Sequence, residues 1–96
     1  MKNYVISYDL HNRRNYTDLY KLLSAWKAQK LTESQWLVSL NCSAMAALNF
    51  VVPTVDGDDT VTVIEIPRGS DWATSRGPIA ANAWLSNNVT PRQIAA

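Results

Sequence analysis

The sequence predicts one small α+β domain, and three observations lead to that fold class. Strand-like runs at 2–10, 30–40 and 60–66 are rich in β-branched and aromatic residues. Of the segments between them, 16–29 repeats its apolar residues at helical spacing, and 43–51 is rich in alanine, the strongest helix former. A chain of 96 residues suits a single hydrophobic core.

The first strand predicts a buried, central position in the sheet. Its alternation places Tyr4, Ile6 and Tyr8 on one face and Val5 and Ser7 on the other. The aspartate at position 9 interrupts the apolar run and is followed by a polar segment. This carboxylate is therefore expected at the end of a rigid strand.

The first helix is predicted from Tyr16 to about Gln29, with Asn15 as its N-cap. Its core stripe is expected to consist of Tyr16, Leu19, Leu22, Leu23 and Trp26. In the strand region that follows, Trp36, Val38 and Leu40 share one face. The polar residues 33–35 indicate either a bulge or a separate short strand.

The second helix is predicted over 43–51 and ends before Pro53. The acidic turn 56–59 resembles part of a calcium loop but lacks the required glycine and distal glutamate spacing, so metal binding is not predicted there. The strand that follows, 60–66, is expected to lie centrally in the sheet, as is the first strand.

The last third of the chain changes character. Residues 67–77 read as a loop, and a helix is predicted from Pro78 to Asn87. Ile79, Ala83 and Trp84 are expected to form its core face, and 90–96 is expected to be a frayed tail.

The order of these elements matches the split βαββαβ plan, that is, a ferredoxin-like sandwich with an antiparallel sheet and an additional C-terminal helix. Residues 1–66 form the predicted core, and 67–96 form a loop, helix and tail of the same domain. Both core helices pack on one face of such a sheet. The other face is expected to be covered by the last helix or by a second subunit.

Composition excludes several classes of protein. No apolar run reaches the roughly 18 residues of a membrane span, and the N-terminal residues lack a signal-peptide pattern. The single Cys42 excludes an intrachain disulfide and a multi-cysteine metal site. A cytoplasmic protein without a membrane partner is expected.

Charge is unevenly distributed along the chain, although the net charge is only +1. Six lysines and arginines precede residue 31, whereas residues 31–66 contain five acids and no lysine or arginine. This asymmetry is typical either of one basic, nucleic-acid-binding face or of ordinary solvated surfaces.

Four residues at or just after the end of the first strand are candidates for chemistry. Asp9 is either a ligand for a divalent cation or a strand-end residue that caps a turn or pairs with a neighbouring arginine. His11 is either an acid or base near neutral pH or simply exposed. Arg13 and Arg14 either hold phosphates or lie in a solvated loop.

The segment Tyr4-Val5-Ile6-Ser7-Tyr8-Asp9-Leu10 resembles the opening strand of the CRISPR-associated Cas-two family. Asn12-Arg13-Arg14, the leucine-rich helix and Gln35-Trp36-Leu37-Val38 follow in the order expected of that family. The resemblance covers roughly residues 2–66. Related small proteins include toxin-like ribonucleases, and the segment 67–96 departs from the spacer-integration members.

The resemblance implies a cytoplasmic homodimer in which two copies of Asp9 hold Mg²⁺ or Mn²⁺ near the interface for phosphodiester cleavage. Such a protein is an endoribonuclease or a deoxyribonuclease. Other members of the family serve as structural DNA-binding bridges. The alternative is therefore a non-catalytic homodimer that binds RNA, DNA or a protein partner on the same scaffold, with Arg13 and Arg14 as nucleic-acid contacts.

Overall fold

The computed structural model describes residues 1–11 and 16–91. Seven regular elements occur in chain order, with one turn of 3-10 helix, Val52–Thr54, after the second α-helix. The elements are β1 (Lys2–Asp9), α1 (Thr17–Ala25), β2 (Gln29–Thr32), β3 (Gln35–Leu40), α2 (Ala44–Val51), β4 (Thr60–Glu65) and α3 (Ile79–Asn88). The predicted cap Asn15 and the tail residues 92–96 lie outside the described residues.

The four strands form one antiparallel sheet in the order β2-β3-β1-β4, which confirms the ferredoxin-like α+β fold. The prediction that β4 is central is wrong, because β4 pairs only with β1 and forms an edge. Its alternation explains the position: Val61 and Val63 pack against the helices, whereas Thr60 and Thr62 are exposed. A strand that is half polar suits an edge better than the centre of a sheet.

The polar residues within 30–40 separate two strands that form a hairpin. Glu33 and Ser34 make the turn between β2 and β3, and the register shifts between Lys30 and Thr32. The helix before this hairpin ends earlier than predicted because Lys27 adopts a left-handed conformation with φ of 56°. The N–H of Ala28 then bonds to Leu23 O at 2.9 Å, which closes the helix in a Schellman arrangement.

The main core lies between the sheet and helices α1 and α2. Tyr4, Ile6 and Tyr8 are buried on that face of β1, as the alternation predicts. They pack with buried residues from the helices and β3, namely Tyr16, Leu19, Leu23, Val38, Leu40, Ala47 and Val51. Three buried side chains at alternate positions hold β1 firmly in the core, so the residue at its end has a rigid support.

A second, smaller core forms where α3 packs on the opposite face of the sheet. Leu37 meets Ala81, Leu85 and Val89, with further apolar contacts from Val5, Leu31, Ile66, Trp72 and Trp84. The predicted core face of this helix is only partly correct: Trp84 packs against the second core, but Ile79 is 89% exposed and Ala83 is exposed, and residues four apart at 81, 85 and 89 face the sheet instead. The expectation that the last helix covers the second face is therefore met over β2 and β3.

Side-chain hydrogen bonds fasten the C-terminal part to the sheet. The amide of the buried Asn3 donates to Asn88 O at 2.7 Å and its oxygen accepts from Ser39 Oγ at 2.6 Å. The Trp72 indole donates to Thr90 O at 2.8 Å. Within residues 1–11 and 16–91, no helix has the length and apolar character that crossing a bilayer requires.

Candidate functional site

Asp9 lies where the sequence predicts it, at the end of a central strand. It is the last residue of β1 and pairs in register with Thr60 of β4. Its side chain is 77% exposed. The strand is held by buried residues on either side of the backbone, whereas the carboxylate stands in solvent and can accept new ligands.

His11 is the nearest titratable side chain to Asp9 for which a contact is seen. Its Nε2 lies 3.8 Å from Asp9 Oδ2, and its side chain is 47% exposed. An exposed pair at this separation contributes little to stability, even with a protonated imidazole. The contact therefore leaves Asp9 accessible and places a group that can exchange protons beside it.

Arg13 and Arg14 lie outside the described residues, so their predicted role as nucleic-acid contacts stays a prediction. The residues that flank this segment, His11 and Tyr16, are both described. The backbone N–H of His11 donates to Asp59 Oδ1 at 2.8 Å, and Tyr16 Oη donates to Asp59 Oδ2 at 3.0 Å. One carboxylate thus ties together the two flanks of the arginine-bearing segment.

Asp59 is a positioning residue that the sequence did not reveal. Besides the bonds to His11 and Tyr16, it accepts a hydrogen bond from the backbone N–H of Asp56 at 2.7 Å. Partial desolvation raises the pKa of the Asp59 carboxyl, but these hydrogen bonds outweigh it and hold the pKa below its ordinary value. The only sequence signal is an acidic turn, which does not say which acid reaches back across 48 residues.

We expect Asp59→Asn to destabilise the fold near pH 7 and to have progressively less effect below about pH 4. A lowered folded-state pKa gives stability that is present above the unfolded pKa and is lost as the pH falls through the folded pKa. Urea unfolding of both proteins between pH 7 and pH 3 measures this difference. The exposed Asp71, replaced by asparagine, is the control, and a pH-independent effect of Asp59→Asn would contradict the prediction.

The same acidic turn brings three carboxylates together. Oxygens of Asp56, Asp58 and Asp59 all lie within 4.8 Å of one another, and no other part of the described chain gathers three potential metal ligands in this way. Both oxygens of Asp59 already accept hydrogen bonds from the protein. The turn thus has a defined structural role, since Asp59 binds both His11 and Tyr16.

A groove of about 420 Å³ opens beside Asp9. It lies between the end of β1, helix α1 and the β2–β3 turn, and its lining residues are Tyr8, Asp9, Leu10, Tyr20, Glu33 and Ser34. Within it, Tyr8 Oη accepts a hydrogen bond from Trp36 Nε1 at 2.9 Å and lies 3.4 Å from Glu33 O, to which it donates. The groove therefore has a fixed floor, and two exposed acidic residues, Asp9 and Glu33, are among those that line it.

Burial raises the pKa of the Tyr8 phenol above its ordinary value. The hydrogen bond from Trp36 opposes this shift, whereas the neighbouring Tyr20 and the negative Glu33 add to it. Tyr8 consequently stays protonated near neutral pH and keeps its hydrogen bonds.

No family model matches the chain. Among solved structures, the chain is similar to a hypothetical protein, TT1823 from Thermus thermophilus, with a TM-score of 0.64. The two share 19% sequence identity over 81% of this chain and 95% of that one. At this identity the likeness shows the fold alone, and it supports the ferredoxin-like architecture described above.

Proposed function

We propose that this chain is a nucleic-acid-associated protein of the Cas-two-like kind, in which Asp9 holds Mg²⁺ or Mn²⁺ for cleavage of a phosphodiester bond. The observation that carries the proposal is the exposed Asp9 carboxylate at the end of the rigid central strand, 3.8 Å from His11 Nε2. The fold agrees with the architecture that the sequence resemblance implies. Metal-dependent hydrolysis of RNA or DNA by the wild-type protein and by Asp9→Asn tests the proposal.

The donor set at Asp9 fits a hard divalent cation. Mg²⁺ prefers oxygen ligands, usually keeps several waters and is often held by one or two carboxylates. An exposed strand-end carboxylate meets these requirements without moving any buried group. A cation bound there would lower the pKa of its coordinated water and would neutralise phosphate charge. His11 is placed to exchange a proton beside it.

The proposed assembly is a homodimer, because the proposed site takes one carboxylate, that of Asp9, from each chain. On the face that α3 covers over β2 and β3, the β4 residues Thr62 and Ile64 stay exposed, and Ile64 is 55% accessible. The alternation along β1 places Asp9 on this same face. A second copy seated here would bury Ile64 and bring two Asp9 carboxylates to one interface.

We expect light scattering after size exclusion to give twice the mass of one chain at micromolar concentration. Ile64→Lys should shift the protein towards the monomer, because it places a charge in the proposed interface. Ile79→Lys, at an exposed position of α3, is the matched control and should leave the mass unchanged. A monomer at every concentration tested would contradict the assembly and remove the paired-carboxylate site.

One observation favours a second candidate, a non-catalytic dimer that binds nucleic acid or a protein. Within the described ranges, Asp9 is not part of any group of three potential metal ligands. A single carboxylate for each chain is a sparse site for catalysis but is compatible with a binding surface. In this alternative, Arg13 and Arg14 bind the nucleic acid or protein partner. Asp9 then has only a structural role as the last residue of the strand.

For either candidate, Arg13→Ala with Arg14→Ala should weaken nucleic-acid binding and reduce its salt dependence. The slope of log affinity against log salt becomes shallower by about 0.7 to 0.9 for each phosphate that is no longer neutralised. Fluorescence anisotropy at several salt concentrations measures both quantities. Arg68→Ala with Arg76→Ala removes the same charge from the exposed 67–77 loop and is the control. Equal effects of the two double variants would show general charge attraction rather than a site.

A further inference from the structure

The groove beside Asp9 has an aromatic wall that the proposed cleavage reaction does not use. Tyr20 projects from α1 and is 48% exposed, although it is a large ring. It lies against Trp36, with ring centroids 6.5 Å apart and planes tilted by 45°. Because Trp36 is itself fixed by its hydrogen bond to Tyr8, the exposed part of the Tyr20 ring is held at the groove.

The charge of the groove is negative. Asp9 and Glu33 both line it, and none of its six lining residues is lysine or arginine. The Glu33 backbone oxygen accepts from Tyr8, so the turn that carries Glu33 is anchored while its carboxylate stays exposed. A groove of this charge attracts a cation.

We propose that this groove binds a guanidinium group, with Tyr20 as the stacking surface and the Glu33 carboxylate as the hydrogen-bond acceptor. A guanidinium is planar, so it can stack on a tyrosine ring and present its fork of N–H donors to a carboxylate at the same time. An ammonium offers a point charge without a plane, and a metal ion makes no use of the ring. The combination of a ring and a carboxylate therefore selects the guanidinium.

The inference goes beyond the proposed cleavage and does not depend on it. The group comes either from a small free guanidine or from an arginine side chain of a partner polypeptide. Two probes separate these sources: agmatine for the first and an acetylated Gly-Arg-Gly amide for the second. The Gly-Lys-Gly counterpart and Mg²⁺ are the comparison ligands.

Titration of the ¹⁵N-labelled protein, followed by two-dimensional NMR, locates and measures the binding. The amides of residues 9, 10, 20, 33 and 34 and the indole N–H of Trp36 should shift with one common dissociation constant. The Gly-Lys-Gly peptide should bind more weakly than the Gly-Arg-Gly peptide. Binding of both guanidinium probes assigns the group itself, and binding of the peptide alone assigns an arginine within a polypeptide.

Variants that leave Asp9 intact keep this test separate from cleavage. Glu33→Gln should weaken guanidinium binding by roughly three- to tenfold, without disturbing the backbone bond to Tyr8. Tyr20→Leu should weaken it by about two- to fivefold, whereas Tyr20→Phe, which keeps the ring, should bind like the wild type. Asp18→Asn, which removes an exposed charge outside the groove, is the control.

Two results would overturn the proposal. The first is the absence of shifts at the groove with either guanidinium probe. The second is equal affinity for the arginine and lysine peptides, since the ring and the planar fork would then have no role.

Discussion

Replacing Asp9 with asparagine is expected to lower the rate of Mg²⁺- or Mn²⁺-dependent cleavage by on the order of 100-fold or more. Asparagine keeps the size of the side chain but removes the negative charge that attracts the cation. Because the Asp9 side chain is 77% exposed, the free energy of unfolding should change by no more than about 0.5 kcal/mol. Initial rates on labelled RNA and DNA, with thermal unfolding of both proteins, measure the two effects.

The control for this experiment is Asp71→Asn, which removes an exposed carboxylate from the 67–77 loop. It should cleave at the wild-type rate. A pure preparation that cleaves neither RNA nor DNA with either metal would reject the enzyme. Salt-sensitive binding that persists in such a preparation, and that falls in the double-arginine variant, would select the non-catalytic dimer.

The sequence predicted the main layer of the fold because its local patterns agree with tertiary burial. Alternation in β1 and the helical spacing of Leu19 and Leu23 each place apolar groups on one face. The position of β4 was predicted wrongly because the strand was treated as continuously apolar, whereas Thr60 and Thr62 are exposed. Strand order depends on which strands pair with each other, and the local sequence of a strand does not contain that information.

For the candidate site too, local features could be predicted from the sequence and long-range contacts could not. The exposure of Asp9 follows from its place at the end of an apolar run, so the sequence was sufficient to find it. The role of Asp59 depends on a turn folding back onto the segment after β1, a contact over 48 residues. The groove needs three separate elements to meet, namely the end of β1, Tyr20 from α1 and Glu33 from the hairpin turn. The spacing of these residues in the sequence does not indicate that the three elements come together.

The core face of helix α3 was predicted only in part, because its sequence pattern is ambiguous. Apolar or small residues occur on nearly every side of it, so its pattern does not select one orientation. In the structure, residues 81, 85 and 89 pack against Leu37 and Val5, whereas Ile79 is exposed. The two alternative faces predict opposite effects of mutation, and stability measurements can therefore distinguish them.

Leu85→Ala is expected to lower the free energy of unfolding by about 2–5 kcal/mol, because a side chain that is 5% exposed leaves a cavity between α3 and the sheet. Ile79→Ala should change it by no more than about 0.5 kcal/mol, since Ile79 is 89% exposed and alanine is the better helix former. Urea unfolding monitored by tryptophan fluorescence compares the two, with Trp72 and Trp84 reporting from the second core. A larger loss for Ile79→Ala would mean that α3 presents the face expected from its sequence. Small losses for both would mean that α3 is not docked on the sheet, which would leave the whole second face open to a partner.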